Sequence, residues 1–145
     1  MSWCYDEDDD IEFLFREYSD YVLDFKEWKR YYNPRHYLFH YTSTRNAMSI
    51  LEDMRINLTN ARIPQFGTGV FLTKRPPQTN NEQLIYHIYR GNWRLEERLD
   101  CAFAIDTRNI DAIRIYDSQY PDRNVWKCDD EIDLFEHDFH LVIRN

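Results

Sequence analysis

The sequence predicts an α+β fold formed by a single domain over residues 1–145. Helical periodicity is concentrated early in the chain, whereas short apolar runs separated by Asp, Asn, Pro and Ser dominate residues 101–145. A chain of 145 residues is long enough to bury about two thirds of its unfolded surface. Hydrophobic residues make up 43% of it, including 9 Phe, 4 Trp and 11 Tyr. A core of this size needs neither a structural metal nor a disulfide.

Charge and cysteine content restrict the environment and the partners. The net charge is −8, and residues 1–33 hold ten acidic side chains against four basic ones. This charge disfavours nucleic-acid binding, whose affinity rests largely on neutralising phosphates. The cysteines, Cys4, Cys101 and Cys128, form no C-x-x-C pair, which fits a reducing, cytoplasmic environment. No run of 18 consecutive apolar residues is present, so we expect no membrane partner.

The N-terminal unit, residues 1–33, is acidic and rich in aromatic side chains. Its apolar residues recur at spacings of three and four, which predicts one long amphipathic helix over residues 10–31. They are Ile11, Leu14, Phe15, Tyr18, Val22, Phe25 and Trp28. We expect this face to pack on the core formed by residues 34–145, and the alternative is a surface for a protein partner. Asn33-Pro34 ends the helix, since a residue before proline avoids helical geometry.

The next segment predicts a strand followed by a helix. Residues 36–41 are apolar and aromatic, and Thr42 or Ser43 is a suitable N-cap. The helix has an apolar stripe of Ala47, Ile50, Leu51 and Met54. His40 therefore lies at a strand-to-helix corner, where a side chain can meet a ligand.

Two of the three glycines stand directly before the predicted strand Val70–Thr73. Glycine costs conformational entropy on folding, so Gly67 and Gly69 indicate that another group approaches the backbone closely at this point. A lone G-x-G is more often a turn or a bulge. Upstream, residues 56–63 predict a short strand or an irregular crossing that ends at Pro64.

The remaining elements are a helix and a series of strands. Thr79-x-x-Glu82 forms a capping box for a helix with the stripe Leu84, Ile85, Ile88 and Tyr89, and Gly91 is a suitable stop. Predicted strands follow at Cys101–Asp106, Asp111–Tyr116, Asn124–Lys127 and Phe139–Ile143.

Taken together, these segments carry a family resemblance. The segments are Leu38-Phe39-His40-Tyr41-Thr42-Ser43, Gly67-Thr68-Gly69-Val70-Phe71-Leu72-Thr73 with Pro76-Pro77, then Arg98-Leu99-Asp100, Asp122-Arg123-Asn124-Val125-Trp126 and Ile132-Asp133-Leu134. In order and spacing they resemble the ADP-ribosyltransferase superfamily, in its small toxin-like branch with a His, Tyr and Asp signature. The resemblance covers residues 37–145. It implies split antiparallel β-sheets with flanking helices, NAD bound between the sheets, and cleavage of the nicotinamide–ribose bond.

The resemblance also implies roles for individual residues. His40 would hydrogen-bond the adenosine ribose, with Thr42 or Ser43 near the nicotinamide. Phe71 would stack on the nicotinamide ring, where the family usually has Tyr, so the ring contact is kept and the hydroxyl is lost. Tyr41, Gly67 and Gly69 belong to the same expected NAD site.

The third signature position is an acid, which would stabilise positive charge on the ribose in the transition state. Asp100, at the start of the predicted strand Cys101–Asp106, matches this position best, and Asp106 is the reserve. Candidate partners for the NAD phosphates are Arg45, Arg62, Lys74 and Arg75.

Other interpretations remain open or are disfavoured. Cys128, His137 and His140 lack a fourth ligand, so we expect no metal site. ADP-ribose transfer to a macromolecule and NAD hydrolysis are not distinguished by the sequence. A non-catalytic module that binds NAD, ADP-ribose or a protein is the alternative, and Phe71 supports it. An RNA-processing phosphotransferase of the same superfamily is disfavoured by the acidic charge.

Overall fold

A computed structural model describes residues 7–31, 36–60 and 66–144, and it confirms an α+β architecture. The helices are α1 (Glu7–Glu17), α2 (Phe25–Tyr31), α3 (Thr44–Asp53) and α4 (Asn81–Tyr89), with 3-10 helices over Trp93–Leu99 and Leu134–Glu136. The strands are β1 (Val22–Asp24), β2 (Tyr37–Thr42), β3 (Arg55–Ile56), β4 (Thr59–Asn60), β5 (Thr68–Leu72), β6 (Cys101–Asp106), β7 (Ile113–Arg114), β8 (Trp126–Cys128), β9 (Ile132–Asp133) and β10 (Phe139–Ile143).

Two four-stranded sheets meet along a short seam. The first has the order β1-β10-β6-β2 and the second β4-β5-β8-β7, while β3 and β9 form a separate pair. The pairings are antiparallel except that of β1 with β10. At the seam, Phe39 and Thr73 exchange two backbone hydrogen bonds of 2.8 and 3.0 Å. Strands β2 and β5 therefore lie side by side over one residue pair.

The first sheet is covered on both faces. On one face, Leu38, Phe103 and Leu141 pack with Leu14 of α1 and with α3. On the other, Phe39, Ala104 and Val142 pack with Trp28 of α2 and with α4. Every residue of β6 is consequently buried, as the continuous apolar run of the sequence predicted.

The prediction of one helix over residues 10–31 is wrong. Helix α1 ends at Glu17, β1 follows, and α2 begins at Phe25. Strand β1 pairs with the edge of β10, and the Asp24 carboxylate accepts a hydrogen bond of 2.8 Å from the Glu27 amide. Leu14 and Trp28 are both fully buried, but on opposite faces of the first sheet. One straight helix cannot reach both faces, whereas a helix–strand–helix path at the sheet edge does.

Several boundaries of the elements also differ from the predictions. Ser43 is the N-cap of α3, as expected, and accepts from the Asn46 amide at 3.2 Å. The cap of α4 is Asn80 and not Thr79, because the Asn80 side chain accepts from the Gln83 amide at 2.9 Å. The expected stop at Gly91 is close, since Arg90 and Gly91 both have positive φ.

The strand predicted at residues 111–116 is shorter in the structure, where it is β7, and the strand predicted at 124–127 is shifted along the chain to β8. The short strand predicted within residues 56–63 corresponds to two strands, β3 and β4. Arg62 and Pro64 lie outside the described residues. Over the described part of the chain, none of the helices has the length and apolar character needed to cross a membrane.

Candidate functional site

A cleft with a volume of about 260 Å³ lies at the seam between the two sheets. One side, the strand wall, comes from β2, β5 and the residues beside them, and comprises His40, Tyr41, Thr42, Phe66, Phe71 and Thr73. A second group of lining residues, the arginine wall, comes from α4, the 3-10 helix after it and the segment before β8, and comprises Ile88, Tyr89, Arg90, Arg98, Arg123 and Val125. The cleft is thus lined by neutral, partly aromatic groups from the strands and by cations from the second group.

His40 and Phe71 are joined across the seam. The Nδ1 atom of His40 lies 3.0 Å from the carbonyl oxygen of Phe71. A carbonyl oxygen only accepts, so Nδ1 carries the proton and Nε2 of the neutral ring is an acceptor. Burial lowers the pKa of His40, against the opposing effect of this hydrogen bond, and favours the neutral ring. The strand wall therefore offers an imidazole acceptor to a ligand donor such as a hydroxyl.

Phe66 adds a second benzyl ring to the strand wall, and Lys127 holds its backbone. The Nζ atom of Lys127 donates to the Phe66 carbonyl at 3.2 Å. To reach it, the lysine side chain crosses Gly69, where a Cβ atom would lie 2.5 Å from Lys127 Cγ and 2.7 Å from the Cys128 carbonyl oxygen. Gly67 has φ +70°. Backbone conformation and the crossing lysine thus explain both glycines, and neither of them lines the cleft.

A buried charge cluster supports the arginine wall. Asp117 Oδ2 lies 2.7 Å from Arg123 Nη1 and 2.9 Å from Arg90 Nε, and Asp117 is only 2% exposed. Arg123 also donates to the carbonyls of His87 and Ile88 at the end of α4, at 2.9 and 3.0 Å. Burial alone raises the pKa of Asp117, but the hydrogen bond from Arg123 and the charge of Arg90 outweigh it and keep that pKa low. Two guanidiniums share one carboxylate, which leaves one positive charge in excess.

Arg98 is the exposed cation of the arginine wall. It lines the cleft from the 3-10 helix Trp93–Leu99. Within the described ranges, its guanidinium has neither a hydrogen-bond nor an ion-pair partner. Arg90 is more constrained, because its Nη2 donates to Gln119 Oε1 at 2.6 Å and its guanidinium lies 4.7 Å from the centre of the Tyr120 ring. Arg98 is consequently the cation most accessible to an anionic ligand.

Asn124 connects the two walls. Its side-chain oxygen accepts from the Lys74 amide at 2.8 Å and from Thr73 Oγ1 at 3.3 Å, at the end of β5. Its own amide donates to Nδ1 of His87 in α4 at 2.9 Å. One asparagine therefore sets the spacing between the wall built on strands and the wall built on helices.

The structure brings together only part of the predicted NAD site. His40, Tyr41, Thr42 and Phe71 line the cleft. The Tyr41 hydroxyl is already used, since it donates to the Arg75 carbonyl at 2.7 Å. The predicted residues that do not line it are Ser43, Arg45, Gly67, Gly69, Lys74, Arg75 and Asp100.

Among those residues, Ser43 caps α3, and Lys74 places its Nζ 4.6 Å from the centre of the Trp126 ring. Both side chains therefore have structural contacts: the cap at Ser43 was expected from the sequence, and the contact of Lys74 with Trp126 was not.

The two candidate acids lie at opposite ends of β6. Asp100 directly precedes Cys101, the strand partner of the cleft residue Thr42. Asp106 lies at the far end and binds Arg108 through both carboxylate oxygens, at 2.8 to 3.1 Å. These hydrogen bonds hold the pKa of Asp106 below its usual value. None of the lining residues in the described ranges is Asp or Glu.

Sequence reasoning did not identify the arginine wall as a ligand surface. The stripe of α4 suggested that Ile88 and Tyr89 are core residues, and Arg123 was only part of a motif. The sequence feature that could have indicated this surface is Arg98, a cation just before a buried strand.

No cluster of three potential metal-binding side chains occurs in the portion of the chain that the structure describes. Burial raises the pKa of Cys128 to about 11, which disfavours the thiolate that a zinc site requires.

Comparisons of this chain with protein-family models, with curated proteins and with solved structures find no match in any of the three.

Proposed function

We propose that the cleft binds NAD and that the domain cleaves the nicotinamide–ribose bond, transferring ADP-ribose to a macromolecule or to water. The observation that carries this proposal is the pairing of His40 with Phe71 across the seam. These two residues are distant in sequence, and the resemblance to ADP-ribosyltransferases assigns Phe71 to the nicotinamide ring and His40 to the adenosine ribose of NAD. Two sheets that meet at a single residue pair also support the split-sheet arrangement of that superfamily.

In this proposal, each wall acts on a different part of NAD. The Phe71 ring stacks on nicotinamide, and Nε2 of His40 accepts a hydrogen bond from a ribose hydroxyl. Arg98 faces the diphosphate. Holding NAD at both a stacking ring and a fixed acceptor limits its orientations, which lowers the entropic part of the barrier.

Breaking the bond moves its electron pair onto the cationic nicotinamide, which leaves as a neutral molecule, and positive charge develops on the ribose. A carboxylate near this charge stabilises the transition state. Asp100 is our candidate, because it adjoins the strand partner of Thr42 at the cleft end of β6. Asp106 is less suitable, since it lies at the other end and is bound by Arg108.

The test is the release of nicotinamide from NAD by the purified chain, with and without a cell extract that supplies acceptors. We expect His40→Ala, Phe71→Ala and Asp100→Asn each to lower kcat/KM by roughly tenfold or more, since tenfold corresponds to about 1.4 kcal/mol of transition-state stabilisation. Phe135→Ala and Asp129→Asn are matched controls on exposed side chains away from the cleft. Equal loss in the variants and in their controls would contradict the assignment.

A second candidate function is NAD or ADP-ribose binding without cleavage. Its support is that the described lining residues include no carboxylate and that Phe71 lacks a hydroxyl. Calorimetric binding of NAD with no nicotinamide release would favour this function. The role of the N-terminal helices as a partner surface remains a prediction, although Leu14 and Trp28 belong to the core.

A further inference from the structure

The three arginines that line the cleft carry more positive charge than the one carboxylate among their contacts neutralises. Arg90 and Arg123 share the single carboxylate of Asp117, and Arg98 has no partner in the described ranges. Three guanidiniums thus face or border the cleft against one carboxylate. This excess matches the two negative charges of a diphosphate, and paired guanidiniums bind phosphate oxygens well.

The described residues of the strand wall carry no negative charge to neutralise a cation. Its lining residues are neutral, and none of the described lining residues on either wall is acidic. NAD brings a cationic nicotinamide ring as well as its diphosphate. ADP-ribose and NADH carry the same diphosphate without a cationic ring, and ADP carries the diphosphate with a further negative charge on its terminal phosphate.

We propose that the cleft is matched in charge to a nucleoside diphosphate without a cationic ring, with Arg98 as its main contact. ADP and ADP-ribose then bind at least as tightly as NAD, and the ADP-ribose formed by hydrolysis inhibits the domain. This inference rests on the proposed function for the position of the ligand in the cleft. It adds a charge preference and a form of product inhibition.

Arg98 is suited to mutation because it is exposed and its guanidinium has no hydrogen-bond or ion-pair partner among the residues that the structure describes. Arg94 is its matched control, since it lies on the same 3-10 helix, is exposed and does not line the cleft. Arg90 and Arg123 are less suitable, because both contact the buried carboxylate of Asp117.

The experiment is calorimetric titration of the full chain with ADP, ADP-ribose, NADH and NAD. It is repeated with Arg98→Ala, Arg98→Lys and Arg94→Ala.

We expect NADH to bind more tightly than NAD, because the two differ mainly in the charge of the nicotinamide ring. Arg98→Ala should weaken ADP binding by roughly tenfold or more, the loss of one charged contact. Arg98→Lys should recover part of the affinity, and Arg94→Ala should match the wild-type chain. Added salt should weaken ADP binding to the wild-type chain more than to Arg98→Ala.

Nicotinamide release is measured in parallel, so that the two proposals can fail separately. If NAD is cleaved but binds more tightly than NADH and ADP-ribose, and Arg98→Ala is unaffected, the charge preference is wrong and the enzymatic proposal stands. If ADP binds through Arg98 but no nicotinamide is released, the anion site stands and the enzymatic proposal fails. If none of the four nucleotides binds, both are wrong.

Discussion

The two walls of the cleft are held in place by different forces. The strand wall rests on backbone geometry, because β2 and β5 are joined by main-chain hydrogen bonds at Phe39 and Thr73. The arginine wall rests on side chains, since Asp117 holds Arg90 and Arg123 against α4. The first kind of support tolerates many side chains, whereas the second depends on single residues. We therefore expect the arginine wall to be the more sensitive of the two to substitution.

Each wall also contains or adjoins one histidine, and Nδ1 is a hydrogen-bond donor in one of them and an acceptor in the other. His40 donates from Nδ1 to the Phe71 carbonyl, while Nδ1 of His87 accepts from the Asn124 amide. A protonated His40 keeps its hydrogen bond. A protonated His87 has no acceptor left at Nδ1, so the Asn124 amide loses its partner. Protonation should therefore break the hydrogen bond between the walls at His87 and leave the hydrogen bond of His40 in the strand wall intact.

The largest effect should follow Asp117→Asn. The change removes the negative charge between two guanidiniums at a site that is 2% exposed. Breaking a buried ion pair from one side typically costs about 3–5 kcal/mol, and urea unfolding monitored by Trp fluorescence would measure it. Asp129→Asn is the control, because Asp129 is 70% exposed beside Lys127 and such pairs contribute about 0–1 kcal/mol. Equal midpoints for the two variants would mean that Asp117 does not support the arginine wall.

On the strand wall, the most sensitive position should be Gly69. In Gly69→Ala, the new Cβ atom would overlap Lys127 Cγ and the Cys128 carbonyl oxygen. Overpacking of this kind costs about 1–3 kcal/mol, measured by the same urea titration.

Adding Lys127→Ala to this variant removes one overlap and leaves the backbone contact. We therefore expect the double variant to be more stable than the sum of the two single changes predicts. Strict additivity would show that the lysine side chain moves aside without cost.

A smaller difference between the walls should appear as a pH dependence. Burial lowers the pKa of His87 below its ordinary 6.5, assisted by the charges of Arg75, Arg123 and Arg114 and opposed by Asp122. As the pH falls, the unfolded chain therefore binds a proton at His87 before the folded chain does. The contribution of His87 to the free energy of unfolding is fully present above pH 6.5 and is lost as the pH drops through the folded pKa.

His87→Gln keeps an acceptor at this position without a titrating group. Its free energy of unfolding should fall less than that of the wild-type chain as the pH is lowered from neutral through 6.5. His40→Gln is the comparison, since burial also lowers the pKa of His40, but its protonated ring keeps the bond to Phe71. Asp117 does not contribute in this window, because its pKa is lowered from 3.8. An unchanged pH profile in His87→Gln would exclude His87 as the acid-sensitive connection.

The smallest effects should come from the helix caps, one beside each wall. Ser43 caps α3 after β2, and Asn80 caps α4. Replacing either by Ala should cost about 1 kcal/mol, because one amide at the helix start loses its acceptor. Similar losses of thermal stability in both variants would show that the walls differ in their charge contacts and not in helix capping. A much larger loss in one of them would contradict this.

The predictions from sequence succeeded where the relevant contacts are local or repeat along a strand. Strands β6 and β10 have their predicted bounds, and Ser43 caps the predicted helix. His40 and Phe71 both line the cleft, and their role in binding NAD stays a prediction. The motifs that contain them do not specify where β2 and β5 meet.

The failures occur where distant parts of the chain compete with a local pattern. The apolar stripe of residues 10–31 is helical in period, yet β10 offers an open edge and residues 22–24 pair with it. Arg123 carries no local sign of burial. It becomes buried because Asp117 and the end of α4 provide acceptors, and those contacts exist only in the folded chain.

By itself, the sequence determined the α+β class, the buried central strand and the two motifs that supply His40 and Phe71. These features follow from residue periodicity, capping and turn chemistry, which act over a few neighbouring residues. Only the tertiary structure decided that three arginines line the same cleft as those motifs, that Lys127 crosses Gly69, and that Asp100 and Asp106 do not line the cleft. The physical reason is that charge pairing and close backbone approach depend on distances across the fold, and a linear chain does not specify them residue by residue.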